Sequence, residues 1–176
     1  MTTAWVFPGQ GSQAIGMLAD LAAEFATVQE TFAEASTALG KDLWLLAQQG
    51  PEAELNATEN TQPLLLTAGI AVWRTWQAQG GAVPQFLAGH SLGEYTALVA
   101  AGVLSLTDGV RLVAERGRLM QAAVPAGQGA MAAILGLDDA GLRDGEALAP
   151  DLHDQRGHDG QRERDLHGEG RALPGR

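Results

Sequence analysis

Apolar and polar positions alternate along the first 140 residues in blocks of two kinds. Ala4 to Phe7 form a short apolar run ended by Pro8 and Gly9, the pattern of a buried strand entering a loop. In "TVQETFAEASTALG", Val28, Phe32, Ala35 and Leu39 recur at spacings of three and four before Gly40, which predicts an amphipathic helix with a glycine cap. A second helix is predicted from about Gln62 to Gln79, with Pro63 in its first turn and Gly80 after its end. Phe86, Leu87 and Ala88 run into Gly89 as a central strand. Helices follow from Leu92 to about Ala101 and from about Thr107 to Ala122. Ser105 and Asp108 are spaced as a capping box, with Asp in place of the usual Glu. Gly129 to Leu135 reads as one more strand. Strand-like and helix-like blocks in alternation predict a parallel α/β sheet.

Composition changes this picture at one place. All aromatic residues, and the single lysine Lys41, fall before residue 141; residues 141–176 hold no aromatic, Ile, Val or Met but three of the four histidines. Isolated leucines there follow no helical or strand period, so the segment cannot bury enough apolar surface to offset its ordering entropy and reads as disordered. The absence of cysteine excludes disulfides and thiolate metal sites. No basic-then-apolar leader and no apolar run of membrane-spanning length is present, so a cytoplasmic protein without a membrane partner is expected. A net charge of −10 disfavours nucleic acid.

The chemistry concentrates around "AGHSLGEY", residues 88–95. Strand, then Gly89-His90-Ser91-Leu92-Gly93, then helix, is the G-x-S-x-G pattern of a nucleophile elbow. A turn this tight strains the serine backbone and leaves no room for a Cβ two residues to either side. It lifts the serine oxygen out beside helical N–H groups that can meet a developing oxyanion. The bland alternative is a glycine-rich turn whose serine caps the helix. "FPGQGSQ", residues 7–13, follows the first strand, where α/β proteins place their sites, and Gln10 could donate to the same oxyanion. Its bland alternative is a flexible turn with polar filler, and a phosphate-binding role is poor because the Lys-Ser/Thr of a P-loop is missing. In "TDGVRLVAERGRLMQ", Arg116 has Leu112, Val113, Leu119 and Met120 as same-face neighbours, whereas Arg111 and Arg118 fall opposite. An inward guanidinium needs either an internal carboxylate or a function, such as clamping an acidic substrate.

Taken together, "VFPGQGSQAIGML", "NATENTQPLLLTAG", "AGHSLGEYTALVAAGVLSL", "RLVAERGRLMQ" and "GAMAAILGLDD" resemble the malonyl-CoA:acyl carrier protein transacylases of fatty acid synthesis, over most of residues 4–139. The resemblance implies an α/β-hydrolase-like parallel sheet core, here incomplete, and the start of a small ferredoxin-like subdomain. The corresponding division is residues 1–126 for the core, 127–140 for the first strand of the subdomain and 141–176 for a tail that matches nothing in the family. It further implies that Ser91 takes malonyl from malonyl-CoA as an ester and yields it to the phosphopantetheine thiol of acyl carrier protein. Arg116 would hold the malonyl carboxylate, the amides of Gln10 and Leu92 would form the oxyanion hole, and His90 would line the pocket. No metal or cofactor is implied.

The general base is not carried over. The family's histidine lies well downstream; His90 neighbours Ser91 on a turn whose adjacent side chains point apart, and the surroundings of His153, His158 and His167 do not match. The Gly-, Arg-, Asp- and His-rich tail is what a GC-rich gene gives out of frame, so a frameshifted or truncated, poorly active fragment exposing apolar sheet surface is expected. Loss of the base of a serine nucleophile costs on the order of a millionfold in rate. Two alternatives stand beside transfer: a serine esterase or thioesterase, and a non-catalytic module that binds carrier protein. Acyltransferase domains of polyketide synthases share these motifs, but the first strand at the very start of the sequence suits a stand-alone enzyme.

Overall fold

The computed structural model describes residues 2–123. The strand expected at 129–135, the divisions at 126/127 and 140/141, the tail and its three histidines lie outside them. Two strands, β1 (Ala4–Phe7) and β2 (Phe86–Gly89), pair in parallel with Ala4 opposite Phe86 and Phe7 opposite Gly89. Five helices lie between them in sequence: α1 (Ala19–Glu24), α2 (Ala26–Leu39), α3 (Leu43–Gln49), α4 (Glu52–Asn56) and α5 (Thr58–Ala78). α6 (Leu92–Ala100) and α7 (Leu106–Ala123) follow β2. Gly40 ends α2 at φ 65°, the left-handed conformation expected of a glycine cap. Ser105 caps α7 by accepting from Asp108 N–H at 3.0 Å, while its hydroxyl donates to the Asp108 carboxylate at 2.7 Å. The shorter Asp thus bonds the serine side chain rather than reaching back to its backbone.

α5 is the axis of the core. Leu64, Leu66, Ile70, Ala71 and Trp73 are buried on it, and it packs against α2, α6 and α7. Burying each of its large side chains contributes about 2 kcal/mol. The helix starts a full turn before the predicted Gln62, and Pro63 is an interior residue rather than one of the first turn. Thr58-Glu59-Asn60-Thr61 reads as loop because it is polar, yet Asn60 and Thr61 are buried and bonded onto α4. Asn60 Nδ2 donates to the Glu54 carbonyl at 2.9 Å, and Thr61 Oγ1 donates to the Leu55 carbonyl at 2.5 Å.

The sheet is buried on one face only, which corrects the reading of its strands as fully buried. Trp5, Phe7 and Leu87 turn inward onto Trp73, Ala97 and Ala100. Val6 and Phe86 turn outward, 66% and 61% exposed. Among the described residues, neither outer edge of the sheet carries a further strand.

Candidate active site

The turn between β2 and α6 is built as its glycines require. Ser91 has φ 53° and ψ −108°, a conformation that side chains rarely adopt. A Cβ on Gly89 would overlap the Gly93 carbonyl, and a Cβ on Gly93 would overlap the Phe7 carbonyl of β1. Only glycine at both positions lets strand and helix close this tightly. The Ser91 side chain makes no capping bond to α6, so the capping alternative fails. Its Oγ instead accepts from Arg116 Nη2 at 2.9 Å.

Arg116 reaches that oxygen from the flank of α7, not from the middle of a buried stripe. Leu112, Leu119 and Met120 are 47%, 55% and 38% exposed; the buried line is Leu106, Gly109, Val110, Val113 and Gly117. The helical wheel took apolar residues as the inner face, whereas the tight contact is made by glycines. A Cβ on Gly117 would lie 2.6 Å from the Thr58 carbonyl and 2.7 Å from Glu59 Cα. This approach of α7 to the first turn of α5 sets Arg116 beside Gln62, whose Oε1 accepts from Arg116 Nη1 at 2.8 Å. The guanidinium carbon also stands 5.6 Å from the centre of the Tyr95 ring, within cation–π range. All three partners are neutral. The ion pairs among the described residues are Lys41–Glu54, Arg74–Glu34 and Arg118–Glu115, and none includes Arg116. Its charge is therefore not cancelled by an acid of this part of the chain.

The loop after β1 is pinned rather than loose. Ser12 Oγ donates to the Gly9 carbonyl, Gln13 accepts from Gly11 N–H, and Gln13 Nε2 donates to Asn56 Oδ1 at 2.8 Å. Gln10 is exposed, and its Nε2 donates to Thr58 Oγ1 at 3.4 Å. The loop lies against the elbow: a Cβ on Gly9 would sit 3.1 Å from the His90 carbonyl and 3.2 Å from its Nδ1. Leu92 opens α6, buried, and neither its N–H nor that of Gln10 donates a hydrogen bond among the described residues. His90 is exposed with its imidazole on Gly9 and makes no hydrogen bond to Ser91. The structure thus brings Ser91 and Arg116 into contact, with Leu92 adjacent and the Gln10 loop against His90. Among the described residues no group of His, Cys, Asp and Glu is arranged to hold a metal ion, and no helix is long and apolar enough to cross a membrane.

Gln62 and Tyr95 were not anticipated as site residues. Gln62 escaped because the predicted helix began there, which put it at an exposed end; the true start buries it completely. A buried glutamine four residues into a helix and directly before an apolar run is the signal that an earlier start would have exposed.

An α/β protein with a serine-bearing elbow and a cation on the serine oxygen is the class this geometry defines. Residues 4–150 match the acyl transferase domain family, and the chain belongs to it. It is 65% identical over 139 residues to the malonyl CoA-acyl carrier protein transacylase of Salmonella typhimurium, covering 79% of this chain and 45% of that protein. A solved acyl carrier protein S-malonyltransferase from Vibrio cholerae is 58% identical, with TM-score 0.77 over 85% of this chain and 49% of that one. A malonyl-transacylase solved in complex with a type II PKS acyl-carrier protein gives TM-score 0.80 at 58% identity, with the same coverage. The α/β-hydrolase-like core expected from the resemblance agrees with these neighbours. The chain spans about half the length of the relatives it matches.

Proposed function

We propose that this chain carries the serine and carboxylate-binding part of a malonyl transfer site, which moves malonyl from malonyl-CoA to the phosphopantetheine thiol of acyl carrier protein. One observation supports the reading above others: an arginine without a carboxylate partner among the described residues bonded to the oxygen of an elbow serine. Among the described residues two of its donors are engaged, to Gln62 and Ser91, which leaves others for a bidentate grip on a free carboxylate. With the carboxylate held there, the thioester carbonyl comes to Ser91. The oxygen of Ser91 attacks the carbonyl carbon, the developing oxyanion meets the N–H groups of Leu92 and Gln10, and the C–S bond breaks to release the coenzyme as its thiol. The phosphopantetheine thiol then attacks the ester carbon, the C–O bond breaks, and the serine regains a proton. Among the described residues Ser91 Oγ donates to no acceptor, so the group that carries this proton is not one of its present contacts. A cysteine-free chain acting on a coenzyme A thioester suits the cytoplasm.

The test compares acylation of the chain by malonyl-CoA and acetyl-CoA, read as mass added to Ser91. Arg116→Ala is expected to lower the malonyl-to-acetyl rate ratio by about a hundredfold, the worth of a charge-assisted contact of about 3 kcal/mol. An unchanged ratio, or label on a residue other than Ser91, would overturn the reading. Release of free malonate without transfer to a thiol would favour the esterase alternative.

A further inference from the structure

We propose that Met120 is a positioning residue of this site: its sulfur accepts from the nitrogen end of the Gln62 amide and so holds that amide, and through it Arg116, in place. The inference rests on the malonyl-transfer reading and adds a residue to it. Gln62 is fully buried, and each end of its amide meets a residue of α7: Oε1 accepts from Arg116 Nη1 at 2.8 Å, and Nε2 donates to Met120 Sδ at 3.2 Å. Arg116 and Met120 are four residues apart, hence neighbours on one helix face, so a single turn of α7 grips both ends of one side chain. The chemistry fixes the direction. A guanidinium has donors and no acceptor, so it can bond only the oxygen end. The nitrogen end must then find an acceptor away from water, and among the described residues the thioether is the one it has. Leucine there would leave a buried N–H₂ group unsatisfied, which favours rotation of the amide toward other acceptors and takes Oε1 away from Arg116. Met120 is itself 38% exposed, more than a core packing role requires.

The experiment uses the full chain and three forms of residue 120: the parent, Met120→Leu, which keeps volume but loses the acceptor, and Met120→Gln, which returns a carbonyl oxygen near the place of the sulfur. Two readouts are taken. In the first, nitrogen-labelled glutamine side chains are followed by NMR, with the Gln62 amide assigned by its loss in Gln62→Asn; its hydrogen exchange is expected to quicken in Met120→Leu and to slow again in Met120→Gln. In the second, Met120→Leu is expected to lower the malonyl-to-acetyl acylation ratio about tenfold, the size of one lost hydrogen bond, with the glutamine variant restoring it. Unchanged Gln62 exchange in Met120→Leu overturns the proposal, as does an equal fall for malonyl and acetyl that glutamine does not rescue. If no form is acylated, the transfer reading fails on its own, and amide exchange still decides the role of Met120.

Discussion

The elbow and the α5–α7 junction both rest on glycines that admit no Cβ, but the information that builds them is distributed differently. At the elbow, Gly89, Ser91 and Gly93 lie within five residues; the clash that demands Gly89 is internal to that turn, and the one that demands Gly93 is with the end of β1. At the junction, Gly117 meets Thr58 and Glu59, and Arg116 meets Gln62, which stands 54 positions earlier in the chain. Local backbone chemistry announces itself as a motif; a contact between distant helices does not, because neither partner is unusual in its own window. The nucleophile is set by the first kind of information and its cationic partner by the second. One should be unforgiving of substitution, the other adjustable.

That contrast can be broken by experiment. The largest expected effect is Gly93→Ala, where the new methyl overlaps the Phe7 carbonyl and also meets that of Pro8, both backbone atoms; a loss of about 4 kcal/mol is expected in urea unfolding, close to abolishing the fold. Gly117→Ala should be milder. The backbone contacts at 2.6 and 2.7 Å force α7 to move bodily off the first turn of α5, so an overlap penalty of about 3 kcal/mol is only partly offset by about 1 kcal/mol of better helix propensity. Its signature is also chemical, since moving α7 moves Arg116, and the malonyl-to-acetyl ratio should fall along with a smaller drop in unfolding midpoint than Gly93→Ala gives. Equal losses for the two variants would erase the distinction. The smallest effect belongs to Glu115, one residue from Arg116, whose carboxyl is held below its ordinary range by hydrogen bonds from Arg118 at 2.6 and 2.8 Å. A lowered carboxyl pKa stabilises above the ordinary carboxylate value and loses that stabilisation as pH falls through the lowered one. Glu115→Gln should therefore melt slightly lower at neutral pH and level with the parent in acid, and the gap should close in molar salt because both side chains are exposed to solvent.

Most of the fold was legible where periodicity is strong. Both strands, α2, α6 and α7 fall within a residue or so of their predicted limits, because apolar spacing and glycine caps act within one element. α1, α3 and α4 are too short to show a period, and none was anticipated. The misplaced start of α5 had the larger consequence: the polarity of Asn60 and Thr61 in its first turn records bonds to α4, not exposure to water, and reading it as loop hid Gln62. The structure sets Arg116 against Ser91, but not for the reason that its apolar neighbours suggest. The leucines and the methionine offered as buried companions are exposed, and the inward lean of the helix comes from Gly109 and Gly117. Side-chain burial around a helix was thus inferred from hydrophobicity where it was decided by size.

The dihedral angles of Ser91 have an evolutionary corollary. A serine at φ 53° sits about 1–3 kcal/mol above its relaxed backbone, a deficit that glycine would not incur. Selection on thermal endurance alone would drift this position toward glycine and erase the hydroxyl, so its retention in any lineage is a fingerprint of use.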